Sequence, residues 1–273
     1  MKPAPFTYRA VRSRSEALEA LADGAPRILA GGQSLVPMLN LRLAPADAVV
    51  DITRVPEFRE VQDLPGSIRY GALTTHAAFE DGRVPDGSNG LLRHVGGQIA
   101  YRAVRTRGTI GGALALADPA ADWLTAIIAL EGTLHLASRA GRRAVAAQDF
   151  VLGPYFTVLE EGELIEAVEV PKRPAGERWG HYKVVAKVGE YADSMAIALL
   201  DRARGSARVT LGAIDGAPLV LPGAAAAALS GQAEPELRRA VRDELAAAGR
   251  DFSPAQLLLH TTTVVRSIRA AAT

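Results

Sequence analysis

The period at which apolar residues recur changes along the chain, and each change marks an element. Residues 15–23, SEALEALAD, place apolar side chains three and four apart and predict a short amphipathic helix opened by Ser15. Residues 27–30 predict a strand, Gly31 and Gly32 a turn, and residues 34 to about 42 a helix. Ser34 suits the N-cap of that helix, and Pro37 falls in its first turn, where a missing N–H does no harm. Residues 48–52, AVVDI, predict another strand, which makes the opening stretch a βαβ unit.

A second block starts near Thr53. Residues 67–73 alternate as a half-buried strand, Thr75 opens a short helix, and residues 90–100 read as helical. A glycine-rich loop is expected over 105–119, then a helix from Pro119 through AADWLTAIIALEG that Gly132 closes. TLHLAS, GRRAV and ELIEAVEVP carry strand alternation. The proline, glycine and charges of PKRPAGER mark a boundary. Beyond it, 179–188, 195–201, 206–214 and 217–221 predict strands, and 222–230, 234–249 and 253–271 predict helices. The amphipathic helix at 234–249 is expected to pack on the C-terminal sheet.

Composition narrows the chemistry. The 273 residues include no cysteine, which excludes disulfides, thiolate metal sites, a cysteine nucleophile and an iron–sulfur cluster held by this chain's own thiolates. A net charge of +1 gives no general pull toward nucleic acid or membranes. The apolar runs at 123–130 and 195–200 are far shorter than the roughly 20 residues of a bilayer span. The opening MKPAPFTYRA lacks the apolar run of a secretion signal, so a cytoplasmic location is expected. The five histidines are scattered in sequence and read as surface or packing residues, with no HExxH or GxSxG pattern.

Three motifs carry candidate chemistry. Ala30-Gly31-Gly32-Gln33-Ser34-Leu35 lies between a strand and a helix, where glycines let a ligand approach the backbone and a helix start favours an anion; a plain tight turn explains the same residues. Arg107-Gly108-Thr109-Ile110-Gly111-Gly112 repeats that combination of glycines and a hydroxyl, suiting either a second nest of donors or a connection under a sheet. Asp118 and Asp122 flank Pro119; both suit helix capping, and both suit a carboxylate that accepts hydroxyl hydrogen bonds. Arg102, Arg105 and Arg107 form a basic cluster beside the second motif, read either as a solvated face or as a contact for a phosphate or partner.

AGGQSLVPMLNLRL with VVDI, YGALTTHAAF, VRTRGTIGGALALADPAAD and GELIEAVEVP, in that order, together resemble the FAD-binding medium subunit of molybdenum hydroxylases, the family of xanthine and carbon monoxide dehydrogenases. The resemblance implies an α+β fold: a two-part FAD-binding domain of the vanillyl-alcohol-oxidase (PCMH) type over 1–173, with parts at about 1–53 and 54–173, and a small α+β C-terminal domain over 178–273. It implies that Ala30, Gly31, Gly32, Gln33, Ser34 and Leu35 hold the FAD pyrophosphate, and that Thr109, Gly111, Gly112 and Ala113 form a second wall. It places Asp122 on the ribityl chain, Ile165 on the isoalloxazine and Ile99 along the channel. Lys183, one of only four lysines, is placed near the flavin, and Tyr191, in KVGEYADS, over the ring or its entrance. No residue is assigned a catalytic acid–base role.

The same resemblance implies partners: a small subunit with two [2Fe–2S] clusters and a large subunit with a molybdenum cofactor, assembled as a dimer of heterotrimers. The electrons would pass through FAD to an external acceptor, which the sequence leaves open among NAD, quinone and dioxygen. Two positions depart from the family pattern. Ala113 and Leu116 stand where polar residues are common; Ala113 is expected to lose a side-chain hydrogen bond and keep its backbone one. The main alternative is a stand-alone FAD oxidoreductase of the same fold, which would reduce its own flavin with substrate. A binding or assembly protein without FAD is a third reading, and it predicts a colourless protein. The 102–107 region is expected near the small subunit.

Overall fold

Three sheets and a two-stranded ribbon organise the chain; the structure, a computed structural model, describes residues 2–22 and 24–273. The first region comprises β1 (Thr7–Ala10), α1 (Arg14–Ala22), β2 (Arg27–Leu29), α2 (Leu35–Asn40) and β3 (Ala48–Asp51). β3 is the middle strand, parallel to β1 and β2, and its Val49 and Val50 are buried. The expected βαβ unit is present. β1 was not expected, because all four of its residues are exposed and carry no apolar alternation; its ladder to β3 makes it a strand. Ser13, not Ser15, opens α1: its hydroxyl oxygen accepts the Glu16 N–H. Asp23, which the sequence reading places in this helix, lies outside the described residues.

The second region runs through β4 (Val61–Asp63), β5 (Ser67–Gly71), α3 (His76–Glu80), α4 (Leu91–Gln98), α5 (Arg102–Arg107), α6 (Ile110–Leu116), α7 (Asp122–Ala129), β6 (Thr133–Ser138), β7 (Gly141–Ala146), α8 (Ala147–Phe150), β8 (Val151–Gly153), β9 (Phe156–Thr157) and β10 (Leu164–Pro171). Its sheet has the order β4-β5-β10-β6-β7, antiparallel throughout. Three expectations need correction here. The stretch 105–119 is not a loop but the end of α5 followed by α6, because Thr109 caps α6 and the alanines and leucines after it favour a helix. Asp118 does not cap α7; its Oδ1 accepts the Ala120 N–H and closes the preceding turn, while Ala121 holds the N-cap position without a side-chain bond. Gly132 is not the left-handed residue after α7, since Glu131 takes that conformation at φ 57°. Glycine is needed at 132 because a Cβ there would lie 2.5 Å from Ile127 Cγ2.

The third region contains β11 (Arg178–Val184), β12 (Ser194–Asp201), β13 (Ser206–Gly212), β14 (Leu219–Val220), α9 (Pro222–Leu229), α10 (Glu234–Ala247) and α11 (Pro254–Ala272). Its four strands form an antiparallel meander. Leu237, Val241 and Leu245 of α10 join its core, as the amphipathic pattern required.

All eight residues of α7 are buried, which is why WLTAIIA is apolar around the whole helix. Burying side chains such as Trp123, Leu124 and Ile127 contributes about 1.5–3 kcal/mol each. α7 joins two regions, because β12 points Ile197 and Leu199 into its core and Ala196, Ala198 and Leu200 into the core with α9, α10 and α11. The segment 172–177 is pinned and not a free tether: Lys172 N–H donates to Gly66 O, Arg173 N–H to Gly87 O, and Arg173 Nη2 lies 2.6 Å from the buried Glu177. Among the described residues no helix is long and apolar enough to cross a membrane.

Candidate cofactor site

The two glycine motifs, 76 residues apart from Gly32 to Gly108 in the chain, meet in space. A Cβ on Gly31 would run into the carbonyl oxygen of Arg107, so only glycine lets these backbones touch. A Cβ on Gly112 would come within 3.6 Å of the Ala30 Cβ, so the facing walls are close there too.

The first corner follows β2. Gly32 turns the chain at φ 73°, and its carbonyl accepts the Val36 N–H at 3.1 Å, which starts α2. Ser34 stands at the N-cap, as expected, but its hydroxyl makes no capping bond. Among the described residues, the N–H groups of Gly32, Gln33, Ser34 and Leu35 donate to no protein acceptor. Four consecutive donors and a free hydroxyl are thus left together on a half-buried edge.

The second corner is built differently. Thr109 Oγ1 accepts the Gly112 N–H at 3.2 Å, Thr109 O accepts the Ala113 N–H, Ala72 O accepts the Gly111 N–H, and Thr74 O accepts the Ile110 N–H. The expectation that Ala113 offers its backbone donor is therefore corrected: the first turn of α6 uses it. Behind this corner His76 is an anvil. Its N–H donates to Gly108 O, its Nδ1 accepts from Trp123 Nε1 at 2.9 Å, and a Cβ on Gly108 would lie 2.6 Å from its Nε2. Burial, aided by the Arg105 charge, pushes the imidazole down to about 4, so it stays neutral.

Beyond the corners, Lys183 Nζ reaches both oxygens of Asp122, at 2.7 and 3.0 Å, with 9% and 7% of the two side chains exposed. Burial pushes the Asp122 carboxyl up, and the Lys183 charge and hydrogen bonds pull against it. Lys183 is delivered by a polar seam between β11 and α4. Along it Trp179 Nε1 donates to Asn89 O at 2.8 Å, His181 Nδ1 meets His94 Nε2 at 3.1 Å, and Lys183 Nζ donates to Gln98 O at 3.4 Å. The histidines at 94 and 181, read as isolated, are therefore paired.

Tyr191 lies on the loop between β11 and β12 and is 60% exposed. Desolvation first, then the Asp118 charge, raises the pKa of its phenol. Asp118 Oδ2 also accepts from Tyr155 OH at 3.1 Å. Ile99, half-buried after α4, packs on the main core, and Ile165 is buried on β10 opposite Leu136. The structure thus gathers residues 30–35 with 107–112, and Asp122 with Lys183, while Tyr191 stays on its exposed loop. Asp118 and Tyr155 form a pair of their own; Asp118 lies in a visible motif, whereas nothing in the sequence flags Tyr155. The arginine cluster is largely neutralised, since Arg102 and Arg105 both bind Glu80, and Arg102 also binds Asp81, with Nη1–Oδ1 at 2.6 Å. Glu80 is the last residue of α3 and Asp81 its C-cap.

Residues 4–173 match the family described as the FAD binding domain in molybdopterin dehydrogenase. The chain belongs to the FAD-binding medium-subunit family of molybdenum hydroxylases. This medium subunit is 34% identical over 192 residues to the nicotine 6-hydroxylase medium subunit of Paenarthrobacter nicotinovorans, covering 70% of this chain and 67% of that one. It is 39% identical over 201 residues to the glyceraldehyde dehydrogenase medium chain of Sulfolobus acidocaldarius, covering 73% and 71%. Carbon monoxide dehydrogenase from Hydrogenophaga pseudoflava superposes with a TM-score of 0.92 at 31% identity, over 100% of this chain and 99% of that one. Quinoline 2-oxidoreductase from Pseudomonas putida 86 does so with a TM-score of 0.88 at 36% identity, over 100% and 98%. The α+β architecture expected from the motifs is the one these structures share. The medium subunit is an FAD-binding oxidoreductase component, and its free donors beside a glycine-only contact suit a diphosphate.

Proposed function

We propose that the chain clasps FAD across its two glycine corners and passes electrons from the [2Fe–2S] clusters of a small partner subunit to an external acceptor. A large partner subunit with a molybdenum cofactor would hydroxylate the substrate, in a dimer of heterotrimers. The observation that carries the reading is the contact of Gly31 with Arg107 beside the unused N–H groups of residues 32–35. The absence of cysteine supports the assignment of the clusters to another chain. When bound, FAD supplies the conversion between paired electrons and single ones.

This chain's residues then divide the work. The N–H groups of Gly32, Gln33, Ser34 and Leu35 donate to the diphosphate, and Ser34 adds its hydroxyl. Ala30, Gly112 and Ala113 form close-fitting walls, with the Thr109 hydroxyl hydrogen left to point outward. Asp122 accepts hydroxyl hydrogen bonds of the ribityl chain with the lone pairs that Lys183 leaves over. Lys183 places a cation, tethered by Asp122, near the ring, where it favours the negative charge that reduction brings. Ile165 and Ile99 keep the ring's surroundings apolar, and Tyr191 covers its exposed face. The FAD-binding unit spans 1–173 in two parts divided near residue 53, and 178–273 forms the C-terminal domain.

The test is to purify the chain with its partners and release the bound cofactor with acid. One FAD per medium subunit and a flavin absorption spectrum are expected. A complex that purifies colourless and takes up no FAD would overturn the proposal.

A further inference from the structure

A cleft of about 570 Å³ opens where the second and third regions meet. Asp118, Tyr155, Asp193, Asp215, Asp251 and His260 are among its lining residues. It reaches the strand that carries Lys183, because the Asp193 N–H donates to Val184 O at 2.9 Å. Asp118, only 9% exposed, accepts from Tyr155 OH at 3.1 Å, and its charge acts on the Tyr191 phenol. Asp122, which binds Lys183, is four residues further on.

His260 is 2% exposed and is among the residues that line the cleft. Its Nδ1 shares a hydrogen bond with Ser194 Oγ at 2.9 Å, whereas its Nε2 has no partner among the described residues. Phe252 meets the same ring edge-on, with centroids 5.3 Å apart. Desolvation lowers the His260 pKa, so it adds no charge at neutral pH. Pro119, Ala192, Ile214 and Phe252 add apolar and aromatic surface to the same lining, to which His260 brings a ring nitrogen that has no protein partner among the described residues.

Charge then selects. Four aspartates line the cleft against one arginine, and that Arg250 donates its guanidinium hydrogens to the carbonyls of Asp215 and Ala217. A pyrophosphate entering here meets carboxylates and no free cation, which opposes its binding.

We propose that this cleft receives the external electron acceptor and is built for a planar ring without net negative charge, a quinone or an aromatic cation, in preference to a dinucleotide. The inference rests on the FAD reading above. The acceptor gains two electrons and, for a quinone, two protons; the anionic two-electron-reduced flavin loses the same two electrons and one proton, and water supplies the second proton. With a cationic dye that takes one proton, the flavin's own proton closes the balance.

The experiment uses the complex purified with its partners, reduced anaerobically with dithionite and mixed with p-benzoquinone, methylene blue or NAD. Flavin reoxidation is followed by absorbance. Benzoquinone and methylene blue are expected to reoxidise it faster than NAD. Asp215 and Asp251 are exposed, so the double variant Asp215→Lys/Asp251→Lys keeps the fold. It should slow methylene blue about tenfold and leave benzoquinone within about twofold. Calorimetric titration of the oxidised complex with N-methylquinolinium, which is redox-inert, should show the Kd weakened about tenfold by the same variant. Faster reoxidation by NAD, or a variant that changes neither methylene blue reduction nor quinolinium binding, would overturn the proposal. A complex without FAD sinks the reading underneath it, and quinolinium binding then still decides whether the cleft prefers cations.

Discussion

The two glycine corners have the same ingredients and opposite hydrogen-bond states. At residues 31–35 the chain turns at Gly32 and leaves four N–H groups and the Ser34 hydroxyl without protein partners among the described residues. At residues 108–113 the donors of Ile110, Gly111, Gly112 and Ala113 all go to Thr74, Ala72 and Thr109. The first corner is poised to bind and the second to brace. A glycine pair beside a hydroxyl therefore does not by itself define a phosphate nest. What decides is whether the neighbouring hydroxyl caps its own helix, as Thr109 does, or stays free, as Ser34 does.

The sharpest way to break this comparison is at the contact itself. Gly31→Ala places a Cβ against the Arg107 carbonyl, and the backbones have to separate. We expect a loss of more than about 3 kcal/mol in urea denaturation and no retained FAD. Gly112→Ala is its control, since its Cβ would meet Thr109 Oγ1 at 3.0 Å and Ala30 Cβ at 3.6 Å within an established helix. That variant should stay within about 1 kcal/mol of wild type, because alanine suits a helix better than glycine, and should still weaken FAD binding by narrowing the gap. Equal stability losses in the two variants would mean that the corners do not differ as described.

The next effect concerns what lies beyond the corners. Lys183→Met leaves the Asp122 carboxyl buried without its cation, at a cost of about 3 kcal/mol, whereas Lys183→Met/Asp122→Leu should recover most of that loss. Burial already raises the folded-state pKa of Asp122 above its unfolded value. The proton is then held more tightly in the folded state, so the stability this group contributes is full below the unfolded pKa and is lost as pH rises through the folded one. Removing Lys183 raises the folded value further. The deficit of Lys183→Met should accordingly be smaller near about pH 5 than near about pH 8, and a deficit independent of pH would show that Asp122 is not the group left stranded.

Local pattern made much of this legible. The strand–turn–helix around Gly31 and the continuous apolar run of α7 are written in consecutive residues, and so is the alternation of β10. What stayed hidden depends on partners far apart in sequence. β1 has no buried face and becomes a strand through β3 alone. Lys183 and Asp122 are separated by 61 positions, and His94 and His181 by 87, so no spacing rule joins them. The stretch from Gly108 to Leu116 misled for another reason. Its glycines signal a loop, but their small size serves close approach to His76 and Ala72 while the threonine starts a helix around them. The family motifs name candidate site residues without revealing which of their donors the fold already uses.

The smallest expected effects divide the two hydroxyls. Thr109→Val removes the acceptor of the Gly112 N–H at the start of α6 and should cost about 1 kcal/mol of stability, as the loss of an N-cap does. Ser34→Ala removes no capping bond, since none exists, and should leave the denaturation midpoint unchanged. Its cost should appear only with cofactor present, as an FAD affinity reduced about fivefold, the worth of one hydrogen bond near 1 kcal/mol. The two variants thus exchange signatures: one is read in the melting of the chain, the other in a flavin titration. If Ser34→Ala lowered stability and left FAD binding intact, the first corner would be a braced turn like the second, and its free donors would have lost their purpose.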